Sequence, residues 1–264
     1  MRPDFETLRR TEPGPGVTVI TMNRPQALNA MNTQMMTDLR DCFASYYVDP
    51  GEARCLILTG AGDRGFCAGA DLKERNGMTD DAWRRQHAII EQAIRAIMEC
   101  PVPVIAAVNG AAFAGGCELA LACDFIYAAP HARFAQTEVA LGIIPGAMGT
   151  QNLPRALGVR RAKELILAAT PFSAEEALAW GLVNKIIPGE NLMAEAIAIA
   201  TRIAANAPVA VRQAKRSMDK SQDLDRANGY SFEIEAYNRT VGTEDRIEGI
   251  RAFNEKRKPD FKGR

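Results

Sequence analysis

Val108-Asn109-Gly110-Ala111-Ala112-Phe113-Ala114-Gly115-Gly116-Cys117-Glu118-Leu119-Ala120-Leu121-Ala122-Cys123-Asp124 is the stretch that decides the fold. It continues an apolar, strand-like run that begins at Val104, passes through small residues, and opens a helix-like segment. One carboxylate, Glu118, stands in that segment among Leu, Ala and Cys. Ionised Glu is rarely buried without compensation, so Glu118 is either turned to solvent or kept for chemistry. Glycines ahead of a helix allow close backbone approach and leave free N–H groups pointing outward, a setting that favours negative charge.

Working outward, the chain alternates strands with helices. Val17 to Met22 reads as a strand ended by Asn23-Arg24-Pro25, and Met35, Leu39, Cys42 and Phe43 recur at helical spacing. A second strand, Cys55 to Thr59, runs into the glycine-rich loop from Gly60 to Asp71, at a strand end where α/β proteins place ligands. No Gly-Lys-Ser/Thr follows, so this is not a Walker loop. Leu72 to Met78 reads as polar and mobile, and Thr79 caps a predicted helix to Met98 that Pro101 and Pro103 stop. Beyond the opening stretch come a strand at Phe125 to Ala128, the segment Phe134 to Glu138, a small-residue turn at Ile143 to Thr150, and a helix from Gln151 to Leu157. Ser173-Ala174-Glu175-Glu176 has capping-box spacing.

From Glu190 onward the pattern is helical: Leu192 to Asn206, Pro208 to Met218, a segment around Phe232 to Tyr237, and Glu244 to Lys256. The chain therefore reads as an α/β core over residues 1–200 and a helical region over 201–264 suited to packing on a neighbouring subunit. Arg212, Lys215, Arg216 and Lys220 fall on one helical face and read as solvated.

With 32 basic and 32 acidic residues in 264, no global field recruits nucleic acid or an anionic membrane. Six cysteines without Cys-x-x-Cys pairing read as reduced thiols of a cytoplasmic protein. The start, Met1-Arg2-Pro3-Asp4-Phe5-Glu6, has no apolar signal core, and no run reaches the roughly 18 apolar residues of a membrane span. Only His87 and His131 are available, neither beside a partner in sequence, which disfavours His-rich metal sites and Ser-His-Asp hydrolysis. Carboxylates and backbone dipoles remain as the chemical groups.

Four motifs in order then resemble the crotonase superfamily, the enoyl-CoA hydratases and isomerases. They are Asn23 to Ala30, Phe66-Cys67-Ala68-Gly69-Ala70-Asp71-Leu72, Asn109 to Asp124, and Ile144 to Gln151, and the ending Phe253 to Pro259 matches as well. The resemblance implies a spiral of ββα turns with a C-terminal helical trimerisation region, assembled as a homotrimer or dimer of trimers. It implies an acyl-CoA substrate and a role in fatty acid metabolism, with no metal and no cofactor beyond the coenzyme A that belongs to the substrate. It places an oxyanion hole at the N–H groups of Ala70 and Gly115, and catalytic carboxylates at Glu118 and Glu138. CoA and substrate contacts fall by the same resemblance on Ala27, Leu28, Ala68, Asp71, Leu72, Gly146, Phe253 and Lys256. Taken alone, Glu138 would read as a surface residue and Asp71 as a loop cap.

The chain departs from the common family pattern at Ala114 and Met148, which replace glycines, at Ala135 and Thr137, which replace Gly and Pro, and at Asn152, which replaces an arginine. Met148 is the largest of these and bears on the acyl pocket. The activity implied is reversible syn addition of water to a 2-enoyl-CoA. The alternatives are a double-bond isomerase, or the 3-methylglutaconyl-CoA hydratase branch that Leu72-Lys73-Glu74-Arg75 also resembles. A moonlighting RNA-binding role is a different class, and the neutral charge argues against it.

Overall fold

The computed structural model describes residues 4–264, so the first three residues of the start read above lie outside the described part. Two sheets organise the chain. The larger takes β1 (Leu8–Gly14), β2 (Val17–Met22), β3 (Cys55–Gly60), β5 (Val104–Val108), β7 (Phe125–Ala128) and β10 (Lys185–Ile186), in that spatial order. The smaller takes β4 (Gly65–Cys67), β6 (Ala111–Phe113), β8 (Arg133–Ala135) and β9 (Phe172–Ser173). β1 and β9 pair antiparallel to their neighbours, and every other pairing is parallel. Each of β3, β5 and β7 is followed within a few residues by a short strand of the smaller sheet, so successive turns of chain stack in a spiral.

Helices fill the returns: α1 (Thr33–Val48), α2 (Leu72–Arg75), α3 (Asp80–Met98), α4 (Gly115–Ala122), α5 (Gly149–Leu157), α6 (Val159–Leu167) and α7 (Ala174–Ala179). The C-terminal part is α8 (Leu192–Ala204), α9 (Pro208–Lys220), α10 (Arg226–Val241) and α11 (Glu244–Asn254). Alternation along the parallel strands explains the two cores. Ile20, Met22, Leu56, Leu58, Val104, Ala106 and Val108 face the main core, while Val17, Val19, Cys55, Ile57, Ile105 and Ala107 face Leu192, Ala196 and Ala200 of α8. Covered on both faces, such strands are apolar throughout.

Local signals act as the sequence predicts at several ends. The Thr79 hydroxyl accepts from Ala82 N–H to start α3, and Ser173 with Glu176 closes a full capping box ahead of α7. Two readings are corrected. Leu72 to Met78 contains the helix α2, capped by the Asp71 carboxylate and ending on the buried Arg75. Lys215 is not solvated but buried, because its Nζ donates to Asp124 Oδ2 at 2.9 Å and to the Val102 carbonyl at 3.2 Å. Asp124 Oδ2 also accepts from Val104 N–H at 2.6 Å, so one carboxylate joins α9 to the start of β5. No single helix among the described residues is long and apolar enough to cross a membrane.

Candidate active site

Three segments converge at the open end of the spiral. The first is the loop after β4. Met31 N–H donates to the Gly69 carbonyl at 2.8 Å and Asp71 N–H to the Met31 carbonyl at 2.9 Å, which leaves the Ala70 N–H directed away from that neighbour. The second is the start of α4. Gly115 is its first residue, a position whose N–H has no carbonyl one turn back within the helix. The two segments touch: a Cβ added to Gly69, at φ +94°, would stand 3.0 Å from the Ala114 Cβ and 3.4 Å from the Gly115 nitrogen. Glycine at 69 thus keeps the space before the Gly115 N–H free.

The third segment is the turn before α5. Glu118, one turn into α4 and 3% exposed, points its Oε1 at this turn and accepts from Ala147 N–H and Gly149 N–H, each at 2.8 Å. A Cβ at Gly149 would sit 2.7 Å from that oxygen, so the approach requires glycine. Met148 between the two donors adopts φ 73°, and Ala114, just ahead of Gly115, adopts φ 50°. Non-glycine residues rarely hold such angles unless their surroundings fix them. The glycines that the family pattern has at these positions would carry no such strain.

Glu138 opens a 3₁₀ turn over Glu138–Leu141 and is 6% exposed, so the solvent-facing alternative does not hold for either carboxylate. Burial, and then the Glu138 charge, push Glu118 up to about 7, against the pull of its two N–H donors. Burial likewise raises Glu138 above the ordinary carboxylate range. The two carboxyls therefore behave as a coupled pair that retains a proton near neutrality.

Sequence reasoning missed Gln136. It is fully buried, and its amide, turned to donate, lies 3.2 and 3.3 Å from the two Glu138 oxygens. A Cβ at Gly149 would meet the same amide at 2.8 Å, so Gln136 stands between the surroundings of both carboxylates. No local spacing marked it, since Thr137 between the two residues has ψ 5° and Glu138 already opens a 3₁₀ turn, so the alternation of an extended strand does not apply.

Among the other expected contacts, Leu28 and Ala68 are joined by an Ala68 N–H to Leu28 carbonyl bond of 3.0 Å, with Ala27 at the end of the adjoining 3₁₀ turn. Asp71 pairs with Arg24 at 3.0 Å and Leu72 is half exposed. A cleft of about 290 Å³ opens beside this segment, lined in part by Pro25, Leu28, Gly62 and Arg64. Gly146 packs beneath His87. Phe253 and Lys256 are not drawn into this group. Phe253 is 83% exposed at the end of α11, and the hydrogen bonds of Asp245 and Glu248 on that helix run to the C-terminal tail.

Spiral fold and buried carboxylate pair together define an α/β protein of the crotonase type. The family model for enoyl-CoA hydratase/isomerase matches residues 12–264. A short-chain-enoyl-CoA hydratase of Clostridium acetobutylicum is 43% identical over 249 residues, covering 94% of this chain and 95% of its own. A crotonyl-CoA hydratase of Syntrophomonas wolfei is 42% identical over 243 residues, with 92% and 93% covered. The crystal structure of an enoyl-CoA hydratase from Bacillus anthracis superposes with a TM-score of 0.96 at 43% identity, covering 98% of this chain and all of that one. The chain belongs to the enoyl-CoA hydratase/isomerase family.

Proposed function

We propose that the protein is an enoyl-CoA hydratase, a hydro-lyase that adds water reversibly to the double bond of a 2-enoyl-CoA. The observation that carries this function is the pair Glu118 and Glu138, both buried, both raised, and one fixed by two backbone N–H groups. Glu118, in its ionised form, takes a proton from water as the oxygen attacks C3. The π electrons move to the thioester oxygen, and Glu138, with Gln136 beside it, delivers a proton to C2. One carboxylate acts as base and the other as acid, which a coupled pair sharing one proton supplies.

Negative charge developing on the thioester oxygen falls to the N–H groups of Ala70 and Gly115. Preorganised donors of this kind stabilise an enolate more than the ground-state carbonyl. An amide-to-ester replacement at Gly115 deletes the N–H without adding bulk, and lowers turnover by about 10² to 10³. The CoA moiety runs along Ala27, Leu28, Ala68, Asp71 and Leu72, with Gly146 at the acyl end. Phe253 and Lys256 serve the nucleotide of an adjacent subunit in a trimer or dimer of trimers. The exposed apolar side chains of α10 and α11, among them Tyr230, Tyr237, Ile250 and Phe253, support that assembly. A cytoplasmic location is consistent with the six cysteines, all but Cys123 buried.

Product analysis with 2-hexenoyl-CoA separates this function from isomerisation. Hydration gives 3-hydroxyhexanoyl-CoA with loss of conjugation, whereas a shifted alkene as the main product overturns it.

A further inference from the structure

The loop from Gly69 to Asp71 carries the Ala70 N–H on little structure of its own. It follows a strand of three residues, it contains a glycine at φ +94°, and Ala70 brings only a methyl group. Its support comes from the segment over residues 24–31, across an isolated parallel bridge between Met31 and Ala70. Besides the backbone bonds of that bridge, a side chain spans the same gap. The Arg24 guanidinium is forked across it: Nη1 donates to the Ala30 carbonyl at 2.5 Å, and Nη2 to Asp71 Oδ2 at 3.0 Å.

Both partners of this ion pair are partly buried. Asp71 Oδ1 accepts from Lys73 N–H at 3.1 Å and Glu74 N–H at 3.4 Å, so the two oxygens tie the loop in opposite directions, to α2 and to Arg24. Burial pushes the Asp71 carboxyl up, but Arg24 and those N–H donors outweigh it and hold the group below the ordinary carboxylate range. The pair is therefore ionised at neutral pH.

The same segment reaches the second N–H. Met31 is fully buried, and a Cβ added to Gly115 would stand 2.7 Å from the Met31 Cε. Residues 24–31 thus touch both N–H-bearing segments, by hydrogen bonds at Gly69 and Asp71 and by a methyl contact at Gly115. Loosening the grip on Asp71 alters the separation of the two N–H groups.

We propose that Arg24 is a positioning residue of the reaction: through Asp71 it fixes the Ala70 N–H at the distance from Gly115 at which both donors meet one thioester oxygen. This rests on the oxyanion role given above to Ala70 and Gly115, and adds the group that sets its geometry. Donors of this kind act best when nothing rearranges as charge develops, and a misplacement of about 1 Å can cost on the order of 10²-fold in rate. A planar guanidinium can bond two acceptors in fixed directions, which a lysine ammonium does not reproduce.

The test reads the donors directly. The push–pull thioester 4-(dimethylamino)cinnamoyl-CoA is a 2-enoyl-CoA whose absorption band moves to longer wavelength when its carbonyl is polarised. Its band at saturation is measured with the wild type, Arg24→Lys, Arg24→Met and Asp71→Asn, beside kcat and KM for 2-hexenoyl-CoA. The wild type is expected to shift the band to the red. Arg24→Met should lose most of that shift and about 10- to 100-fold in kcat, with KM changed by less than about 3-fold. Arg24→Lys, which keeps the ion pair but not the fork, should fall between them. A folded Arg24→Met with the wild-type band and kcat would overturn the proposal, and so would a raised KM at unchanged kcat, which would make Arg24 a CoA contact. If Arg24→Met does not fold, Asp71→Asn, which keeps a cap oxygen for α2 but not the ion pair, decides by the same band. A wild type that binds the chromophore without a red shift overturns the oxyanion role itself, whereas a shift that survives in Arg24→Met overturns the part given to Arg24.

Discussion

Glu118 is held by opposing influences: burial and the Glu138 charge favour its protonated form, and two N–H donors favour the carboxylate. Its folded-state value of about 7 lies above the value near 4.5 of an unfolded chain, so the folded state binds more protons between the two. Stability from this group therefore falls as pH rises through that window. Replacing Glu118 by Gln keeps an oxygen for Ala147 and Gly149 but removes the charge. Glu118→Gln should match the wild type in urea unfolding near pH 5 and exceed it by on the order of 3 kcal/mol near pH 9. Equal stability at both pH values would show that Glu118 is not desolvated as its burial indicates. At Glu138, the Gln136 amide lies within hydrogen-bond reach of both carboxylate oxygens. Gln136→Leu leaves that carboxylate without its amide donor, and should slow turnover by about 10-fold or more while CoA affinity changes little. A selective loss of affinity instead would place Gln136 in the binding site.

Two turns carry strain at the element scale. Ala114 and Met148 hold positive φ where α4 and α5 begin, Ala114 beside the proposed oxyanion donor Gly115 and Met148 beside the Gly149 N–H that Glu118 accepts from. Ala114→Gly relieves the first and should raise stability by about 1 kcal/mol, read as a higher urea midpoint with unchanged slope. A lower midpoint would show that the Ala114 methyl contributes more by packing than it costs in conformation. Between α9 and β5 the reverse holds: Lys215→Met leaves Asp124 without its cation and should cost about 3 kcal/mol. The sequence made β2, β3, β5, β7 and the long helices legible, because each carries a repeated pattern and a cap or stop. It did not reveal β4, β6 and β8, three residues each of Gly, Ala, Phe, Cys and Arg, which pair only once the large sheet has positioned them. β1 was hidden by its polar edge-strand composition, and Lys215 because helical spacing identifies a face without saying what lies against it.

Across the whole molecule, Tyr230, Ile234, Tyr237 and Val241 form an exposed stripe on α10 at i, i+4, i+7 and i+11, and α11 also exposes Ile250 and Phe253. Such a stripe is more apolar than a solvated helix needs, and suits a subunit contact. Tyr237→Glu should shift the protein toward monomer in sedimentation velocity, and an unchanged sedimentation coefficient would place the contact elsewhere. The proposed catalytic group is likewise a property of the whole fold. Gly115 and Glu118 share a helix visible in the sequence, whereas Ala70, Gln136, Glu138 and the Ala147 and Gly149 donors reach them only through the spiral. Glu118 stood out by its apolar neighbours, whereas Glu138 rested on the family motifs, since nothing local marks it as buried. The most direct test of the account is steady-state hydration of a short 2-enoyl-CoA by the wild type and Glu118→Gln, with ligand binding measured in parallel. The wild type should form the 3-hydroxyacyl-CoA, and the variant should bind the ligand yet turn over about 10² to 10⁴ more slowly. A folded Glu118→Gln that hydrates at the wild-type rate would contradict it.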